Sequence, residues 1–479
     1  MDSYPRLRLY IDGEWVDKTS SGSMGVENPA DGSDLGQLPV AGKAEIDAAL
    51  EAAERGHRLW RTRSAIDRFQ IITQATRLLR ERAPQVAHAI TLEQGKPLAE
   101  ALREVILSAD IVDFLAEEGK RLYGRTIPPR QPNILSQTVI RQPVGPVAAF
   151  TPWNFPVNLP SRKLGGALAA GCSVIIKPAE ETPASCMLIV EAFHDAGLPP
   201  GVLNMVCGEP SKISSALMTA KQIRKASFTG SIAVGKMLGK LAAQGMKRYT
   251  AELGGHAPVI VCADVDIEAV AKLSVTAKFR NAGQVCASPI RFLIHESKYA
   301  EFRDHFVAQA KALKVGSGLD KSSHMGPLIH GRRVREMQSF VDDALALGGK
   351  LRCGGEAIPG KGYFYPPTVL EDVPPDARVQ RIEPFGPIAV LQPFSTLDEA
   401  LARANGLSIG LSAYAFTHDL ATAHRLSEEL EAGMVGINHF GVSQPETPFG
   451  GWKDSGVGQE SGMEGLLSYT EVKLVSMAA

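Results

Sequence analysis

The chain lacks the features that mark membrane, secreted and nucleic-acid-binding proteins. Its 479 residues contain no run of eighteen apolar residues, and the stretch from Met1 to Asp12 carries charges where a secretory signal needs apolar residues. The 51 basic and 52 acidic residues almost cancel, so no basic surface for nucleic acid or anionic membrane is indicated. We therefore expect a cytoplasmic protein that binds neither nucleic acid nor membrane.

Closely spaced cysteines are also absent. The six cysteines are spread along the chain without any C-x-x-C pair, which argues against a zinc site and against a disulfide framework. We expect free thiols in a reducing compartment and no metal site. The chain is too long for one compact core, so more than one domain is expected.

Apolar runs and helical patterns alternate through most of the chain. Val147–Phe150 and residues 174–176 are apolar runs separated by helical segments, and a second alternating region begins after Gly255. Continuous apolar strands between helices predict parallel sheets that are buried on both faces. The predicted fold class is α/β with two such domains, and residues 44–122 form a helical layer over the first.

Two stretches with interleaved polar residues predict exposed strands. Residues 133–141 form one, and residues 472–475 near the end of the chain form the other, which we expect to pair with it. Because an exposed strand edge can recruit another chain, this pair favours a homo-oligomer.

Polar motifs follow two of the predicted strands. Lys177-Pro-Ala-Glu180 follows one, and Phe228-Thr-Gly-Ser231 follows another and opens a helix. Ligands collect beyond the carboxyl ends of parallel strands, and a helix N-terminus binds phosphate through its free N–H groups. The spacing is not G-x-G-x-x-G, so an ordinary tight turn is an alternative for the second motif.

Cys286 is the strongest candidate for a nucleophile. A helical pattern runs up to Arg280 and is stopped by Asn281 and Gly283, which places the thiol on a loop. A loop thiol can reach a carbonyl carbon, whereas a cysteine on an apolar face is usually inert. Both interpretations fit this segment when it is taken alone.

Four motifs decide between them: Thr151-Pro-Trp-Asn-Phe-Pro156, Glu252-Leu-Gly-Gly255, Asn281 to Cys286, and Glu383-Pro-Phe-Gly-Pro387. Together they give the whole chain a specific resemblance to the NAD(P)-dependent aldehyde dehydrogenase superfamily. The resemblance implies a Rossmann-type dinucleotide domain (residues 1–123 and 143–253) and a second α/β catalytic domain (residues 254–435). It also implies a small β oligomerisation arm (residues 124–142 and 457–479) that builds homodimers or homotetramers.

The resemblance implies three catalytic residues. Cys286 attacks the aldehyde, Asn154 donates to the resulting oxyanion, and Glu252 is the base for hydrolysis of the thioester. The chemistry agrees, because an aldehyde carbon releases hydride readily only after it carries an alkoxide. The alternatives are a turn-capping asparagine and a salt-bridged structural glutamate. Family members that transfer the acyl group to coenzyme A lack this glutamate, so an acyl-transferring or esterase-like enzyme is disfavoured. An inactive protein is disfavoured because Asn154, Glu252, Cys286 and Glu383 are all present.

The resemblance also implies a cofactor groove. Lys177 and Glu180 match the adenosine ribose site, Gly230 and Ser231 the pyrophosphate site, and Glu383 and Phe385 the nicotinamide ribose and ring site, with Trp153 beside the groove. The Glu180 carboxylate suits free ribose hydroxyls and repels a 2′-phosphate. We therefore favour NAD. NADP stays open, because Glu180 could rotate away and leave Lys177 to pair with the phosphate.

Three residues bear on the substrate. Arg162, Arg280 and Ser443 resemble the residues with which succinate-semialdehyde and 2-oxoglutarate-semialdehyde dehydrogenases hold the distal carboxylate, a task that suits arginine. Two alternatives stand beside this carboxylate-bearing semialdehyde. Both arginines could instead pair with carboxylates in structural roles, and the aromatic residue of His439-Phe440 leaves an uncharged aliphatic or aromatic aldehyde open.

Overall fold

The computed structural model of the protein describes residues 4–479; residues 1–3, with which the predicted first domain begins, lie outside the described part. The strands are β1 (Leu9–Ile11), β2 (Glu14–Val16), β3 (Ser23–Glu27), β4 (Asp34–Pro39), β5 (Arg125–Ile127), β6 (Ile134–Pro143), β7 (Val147–Phe150), β8 (Val174–Lys177), β9 (Leu203–Met205), β10 (Lys225–Thr229), β11 (Arg248–Glu252), β12 (Ala257–Val261), β13 (Pro289–His295), β14 (Lys350–Cys353), β15 (Thr368–Glu371), β16 (Ile388–Phe394), β17 (Ile409–Gly410), β18 (Ser412–Phe416), β19 (Met434–Ile437), β20 (Trp452–Lys453), β21 (Gly456–Val457) and β22 (Thr470–Ala478). The helices are α1 (Lys43–Trp60), α2 (Ala65–Glu81), α3 (Ala83–Gln94), α4 (Leu98–Gly119), α5 (Asn158–Ala170), α6 (Pro183–Asp195), α7 (Pro210–Thr219), α8 (Ile232–Gln244), α9 (Ile267–Phe279), α10 (Glu296–Ala312), α11 (Gly331–Ala346), α12 (Arg378–Arg381), α13 (Leu397–Asn405), α14 (Leu420–Glu429) and α15 (Gly462–Leu467).

The first sheet is built on five parallel strands. Its order is β2-β1-β9-β8-β7-β10-β11-β21, in which β9, β8, β7, β10 and β11 are parallel. Strands β7, β8 and β10 are buried along their whole length, because helices such as α1, α5 and α8 pack on the sheet. The continuous apolar runs of the sequence therefore gave the right fold class.

The strand order of this sheet reverses between β7 and β10. From β7 the chain adds β8 and β9 on one side, and it then returns to add β10 and β11 on the other. Loops that leave two such strands diverge and open a crevice at their carboxyl ends. Residues 151–156 leave β7, while Gly230 and Ser231 leave β10, so both motifs lie at this crevice.

The second sheet has the order β14-β15-β16-β13-β12-β18-β19 and is parallel except for β14. It has a core of its own, in which the rings of Phe292, Phe302 and Phe306 pack against one another. The segment Leu253 to His256 connects β11 of the first sheet to β12 of the second. The carboxyl end of β11, with Glu252, therefore lies where the two sheets meet.

A small antiparallel sheet, β22-β6-β5, stands apart from the two large ones. The predicted pairing of the last strand with the strand near residue 137 is confirmed, since Val475 lies opposite Thr138 and Ser476 opposite Gln137. None of the helices in residues 4–479 combines the length and the apolar character that a membrane span requires. The exact domain boundaries stay a prediction.

Candidate active site

The loop that carries Cys286 is shaped by left-handed backbone. Helix α9 ends at Phe279, and a tight turn follows in which Asn281, Ala282 and Gly283 have φ of 50°, 54° and 70°. A side chain at Gly283 would overlap the carbonyl oxygen of Gly386. The glycine therefore lets the cysteine loop lie directly against the Glu383 to Pro387 motif.

The two glycines after Glu252 have the same function of permitting close approach. A side chain at Gly254 would overlap the Glu383 carboxylate, and one at Gly255 would overlap the carbonyl oxygen of Cys286. Asn154 completes the set, because its Nδ2 donates to the Gln284 carbonyl at 3.0 Å. The four motifs of the sequence thus meet at one place.

Residues of the helical layer hold Asn154 in position. Lys96 Nζ donates to the Asn154 carbonyl at 2.8 Å and pairs with Glu104 at 2.6 Å, and both charged side chains are buried. Asn281 Nδ2 donates to the same carbonyl at 2.9 Å, while Gln94 Nε2 donates to Asn281 Oδ1 at 2.8 Å. The sequence analysis missed this support, because no motif links residues 94–104 to the site.

Glu252 and Cys286 share a buried environment. Burial raises the pKa of Cys286 to about 12, helped by the carboxylates of Glu383 and Glu252, while Arg162 opposes the rise. Burial also raises the pKa of Glu252 well above its usual range. Among the described residues neither carboxyl oxygen of Glu252 has a hydrogen-bond partner, so both are free to meet a water molecule or a substrate.

Arg162 is a buried guanidinium with uncharged partners. Its Nε donates to Asn158 Oδ1 at 2.9 Å, its Nη2 to Ser443 Oγ at 2.7 Å, and its Nη1 to Ser461 Oγ at 2.5 Å. It is 2 % exposed, and no carboxylate in residues 4–479 forms an ion pair with it. The structure therefore brings together Arg162 and Ser443, two of the three residues that the sequence assigned to the substrate.

Arg280 is placed differently. Its side chain is exposed at the end of α9, and its guanidinium lies 5.7 Å from the centre of the Phe155 ring. No ion pair or hydrogen bond within the described chain joins it to Arg162 or to a carboxylate. Neither arginine forms a direct ion pair in the described residues, although Glu460 and Glu252 act on the charge of Arg162 and Arg280 acts on that of Glu100. The role of both arginines stays a prediction.

The predicted cofactor residues line the crevice of the first sheet. Lys177 pairs with Glu180. Ser231 caps α8 through its Oγ, and the first turn of this helix is largely exposed. Trp153 packs edge-on against Phe385, with ring centres 5.5 Å apart. Lys177, Ser231 and Trp153 follow β8, β10 and β7 of the first sheet, whereas Phe385 approaches from the segment before β16 of the second.

The carboxylate of Glu383 has a buried oxygen without a hydrogen-bond partner in the described chain, which bears on whether a dinucleotide fits this crevice. Among residues 4–479, Glu383 Oε1 is buried without a hydrogen-bond partner, and burial raises the pKa of Glu383 to about 8. A ribose hydroxyl supplies the donor that such an oxygen lacks, and the free N–H groups of α8 suit a pyrophosphate. Arg333, which the sequence analysis missed, holds this segment by donating to the carbonyls of Pro384 and Phe385.

Two aromatic residues lie in the surroundings of the cysteine loop. Phe440 packs against Tyr414 and Phe416, with ring centres 4.8 and 5.1 Å away, so it belongs to the second core. Phe449 is the aromatic residue near the thiol: it clusters with Leu411, Met434 and Cys286 and lies 4.7 Å from the Arg162 guanidinium. The sequence offers one indication of this role, because Phe449 directly precedes Gly450 and Gly451 in the segment that follows Ser443.

A nucleophilic thiol, an amide donor, a free carboxyl group and a dinucleotide crevice together define the class of cysteine-dependent dehydrogenases. The chain belongs to the aldehyde dehydrogenase family, whose model matches residues 15–475. Enzymes of this family use NAD or NADP, and the protein is an NAD(P)-dependent oxidoreductase that acts on aldehydes.

Known relatives cover nearly the whole chain. A putative 4-(hydroxymethyl)benzenesulfonate dehydrogenase from Comamonas testosteroni is 45 % identical over 98 % of both chains. The NADP-dependent succinate-semialdehyde dehydrogenase of Escherichia coli is 41 % identical over 98 % of this chain and 97 % of its own.

Solved structures agree equally well. A succinate-semialdehyde dehydrogenase from Burkholderia pseudomallei matches with a TM-score of 0.97 and 41 % identity, covering 100 % of this chain and 99 % of its own. The NAD+ complex of an aldehyde dehydrogenase from Bacillus cereus matches with the same TM-score of 0.97 and 33 % identity, covering 99 % and 97 %. The family resemblance and the predicted fold are therefore confirmed.

Proposed function

We propose that the enzyme oxidises a semialdehyde with a distal carboxylate, such as succinate semialdehyde or 2-oxoglutarate semialdehyde, to the free acid. The observation that carries this proposal is the charge of Arg162. A buried charge is costly unless it is paired, and this guanidinium has only three uncharged oxygens as partners among the described residues. The carboxylates of Glu460 and Glu252 stabilise this charge from a distance but form no ion pair with it. A substrate carboxylate would supply a directly bonded anion and accept from the remaining N–H groups of the planar fork.

The proposed chemistry assigns one task to each central residue. Cys286 releases its thiol proton to solvent as Sγ bonds to the aldehyde carbon, and the oxyanion that forms accepts from the second N–H of Asn154 Nδ2 and from the Cys286 backbone N–H. NAD or NADP, held beside Glu383 and Phe385, would supply the hydride acceptor. Glu252 then takes a proton from the water that attacks the Cys286 thioester, which releases the acid and restores the thiol.

NAD is our proposed cofactor. The ion pair between Lys177 and Glu180 supports it, because a lysine that is already neutralised by a neighbouring carboxylate attracts a 2′-phosphate weakly. The measurement is the specificity constant, kcat/KM, for NAD against that for NADP. A Glu180→Gln variant is expected to shift this ratio toward NADP.

The substrate proposal is tested by comparing kcat/KM for succinate semialdehyde with that for butanal, a neutral aldehyde of equal carbon number. We expect about a hundredfold preference for the acid, equivalent to about 2.7 kcal/mol of transition-state binding. Arg162→Gln should reduce the preference, and Arg280→Gln separates the contribution of the second arginine. Equal values for both aldehydes in the wild-type enzyme would refute the proposal.

An aromatic sulfonate is the second candidate substrate. The Comamonas relative is named for a benzenesulfonate, and Phe449 lies beside both Cys286 and Arg162. A ring stacked on Phe449 could present a sulfonate to the same guanidinium. Assaying 4-formylbenzenesulfonate and benzaldehyde beside the aliphatic pair decides between them, and a preference for benzaldehyde or butanal would favour the uncharged-aldehyde alternative.

We also propose a cytoplasmic homodimer or homotetramer. The exposed side chains of Val472 and Leu474 on β22, which are 60 % and 58 % exposed, support assembly through the small sheet. A reducing compartment suits the thiol that the chemistry needs. Light scattering of the wild-type protein and of Leu474→Asp measures the assembly, and the substitution is expected to lower the molar mass.

A further inference from the structure

Ser461 has a backbone conformation that is unusual for a residue with a side chain. It lies just before α15 with φ of 56° and ψ of 177°, and it is 1 % exposed. Such a conformation costs on the order of 1–3 kcal/mol for a residue other than glycine, which adopts it freely. A serine that is retained here needs a compensating use for its hydroxyl group.

Capping the helix is not that use. A serine before a helix normally accepts a hydrogen bond from the first turn, but the Ser461 side chain makes no such bond to α15. Its Oγ accepts from Arg162 Nη1 instead. The hydroxyl group of this strained serine is therefore used to bind the guanidinium of Arg162.

The neighbouring residues make this contact rigid. Glu460, which precedes Ser461, forms a buried ion pair with Lys163, which follows Arg162. Glu460 and Ser461 thus bind the neighbouring residues Lys163 and Arg162 of α5. With Asn158 on Nε and Ser443 on Nη2, the Ser461 hydroxyl fixes the last of the three guanidinium nitrogens.

We infer that Ser461 is a positioning residue that sets the plane of the Arg162 guanidinium and thereby the selectivity for substrates with a distal anion. The inference rests on the proposed function, in that Arg162 must be the group that receives the substrate anion. Without the hydroxyl, the guanidinium can turn toward another acceptor, and its free N–H groups no longer point at one place. The loss concerns binding of the anionic end, so KM for the acid should rise more than kcat falls.

The test compares Ser461→Ala, Ser461→Gly and the control Ser468→Ala with the wild-type enzyme. Ser468 lies just past the end of α15, and its hydroxyl donates only to the Gly465 carbonyl. The readout is the ratio of kcat/KM for succinate semialdehyde to kcat/KM for butanal, together with the thermal midpoint, Tm. We expect the ratio to fall about tenfold in both Ser461 variants, the equivalent of one hydrogen bond to a charged group.

The control should keep the wild-type ratio, and Ser461→Gly should melt at a higher temperature than Ser461→Ala, because only glycine relieves the backbone strain. A wild-type ratio in Ser461→Ala or in Ser461→Gly would overturn the inference, as would an equal loss for both substrates. If Ser461→Ala does not fold, the ratio in Ser461→Gly decides alone. If the wild-type enzyme does not prefer succinate semialdehyde over butanal, the proposed function and the inference both fail. If the wild-type enzyme shows the preference and the Ser461 variants keep it, only the inference fails.

Discussion

Replacing Glu252 with glutamine tests the proposed chemistry most directly. The carboxyl group is 2 % exposed, and within the described residues neither oxygen has a hydrogen-bond partner. Glutamine has the same shape, and the exchange breaks no hydrogen bond in the described part of the chain. The variant should therefore fold normally, and a change in rate can be assigned to the lost base.

The expected loss follows from the role of a general base. Such a base contributes about a hundredfold to ten-thousandfold, which corresponds to roughly 2.7 to 5.4 kcal/mol of activation free energy. Only the hydrolysis of the Cys286 thioester needs this base in our proposal, so hydride transfer in the first turnover should survive. Rapid mixing of Glu252→Gln with aldehyde and NAD should show a burst of NADH that is stoichiometric with the active sites, followed by a slow steady state.

The pH dependence gives a second readout of the same prediction. Burial raises the pKa of Glu252. Below that pKa the group is protonated and cannot accept a proton, so wild-type kcat should rise with pH through the raised pKa and then level off. In Glu252→Gln this rise should disappear. An unchanged steady state would refute the role of Glu252, and loss of the burst would move its role to an earlier step, the deprotonation of Cys286.

Three further substitutions test the surroundings of the site. Arg162→Gln removes a positive charge that lowers the pKa of Glu252, so the pH–rate profile with butanal should move to higher pH. An unchanged profile would show that Arg162 does not influence the pKa of Glu252. Arg333→Gln releases two backbone carbonyls of the nicotinamide segment and should raise KM for NAD several-fold with a smaller change in kcat, whereas an unchanged KM would contradict this. Lys96→Met leaves the buried Glu104 without its partner and should lower the free energy of unfolding by about 3–5 kcal/mol in urea titrations. A midpoint equal to that of the wild-type protein would contradict that expectation.

The sheets and the meeting of the four motifs were predictable because both follow from local pattern and simple geometry. A buried parallel strand needs apolar residues at every position, and the all-buried β7 shows that pattern directly in the sequence. Loops after parallel strands gather at one edge, so residues 151–156 and Ser231 had to lie near each other. The pairing of β22 with β6 was predictable for a related reason, since polar and apolar residues are interleaved in both segments and an unpaired strand needs a partner.

Contacts between distant segments could not be predicted from the sequence. Nothing in the pattern of residues 94–104 indicates that Lys96 reaches the Asn154 carbonyl, because the contact depends on how α3 and α4 turn over the crevice. The contacts of Phe440 also come from distant segments, because its ring packs on Tyr414, whose hydroxyl donates to the Ala287 carbonyl beside Cys286. Which ring Phe440 meets depends on packing that local sequence does not specify.

The charge state of the site depends on this long-range packing even more strongly. Burial raises the pKa of Cys286, Glu252 and Glu383 alike, and each carboxylate raises the pKa of the thiol further. Lys163 opposes the rise for Glu252, and Arg162, from the same helix, opposes it for both Cys286 and Glu252. A substrate anion on Arg162 would weaken that opposition, so the arginine couples recognition of the distal carboxylate to the basicity of Glu252. If Arg162 binds the substrate anion as we propose, selectivity and catalysis meet in one guanidinium, and its orientation by Ser443, Asn158 and Ser461 matters to both.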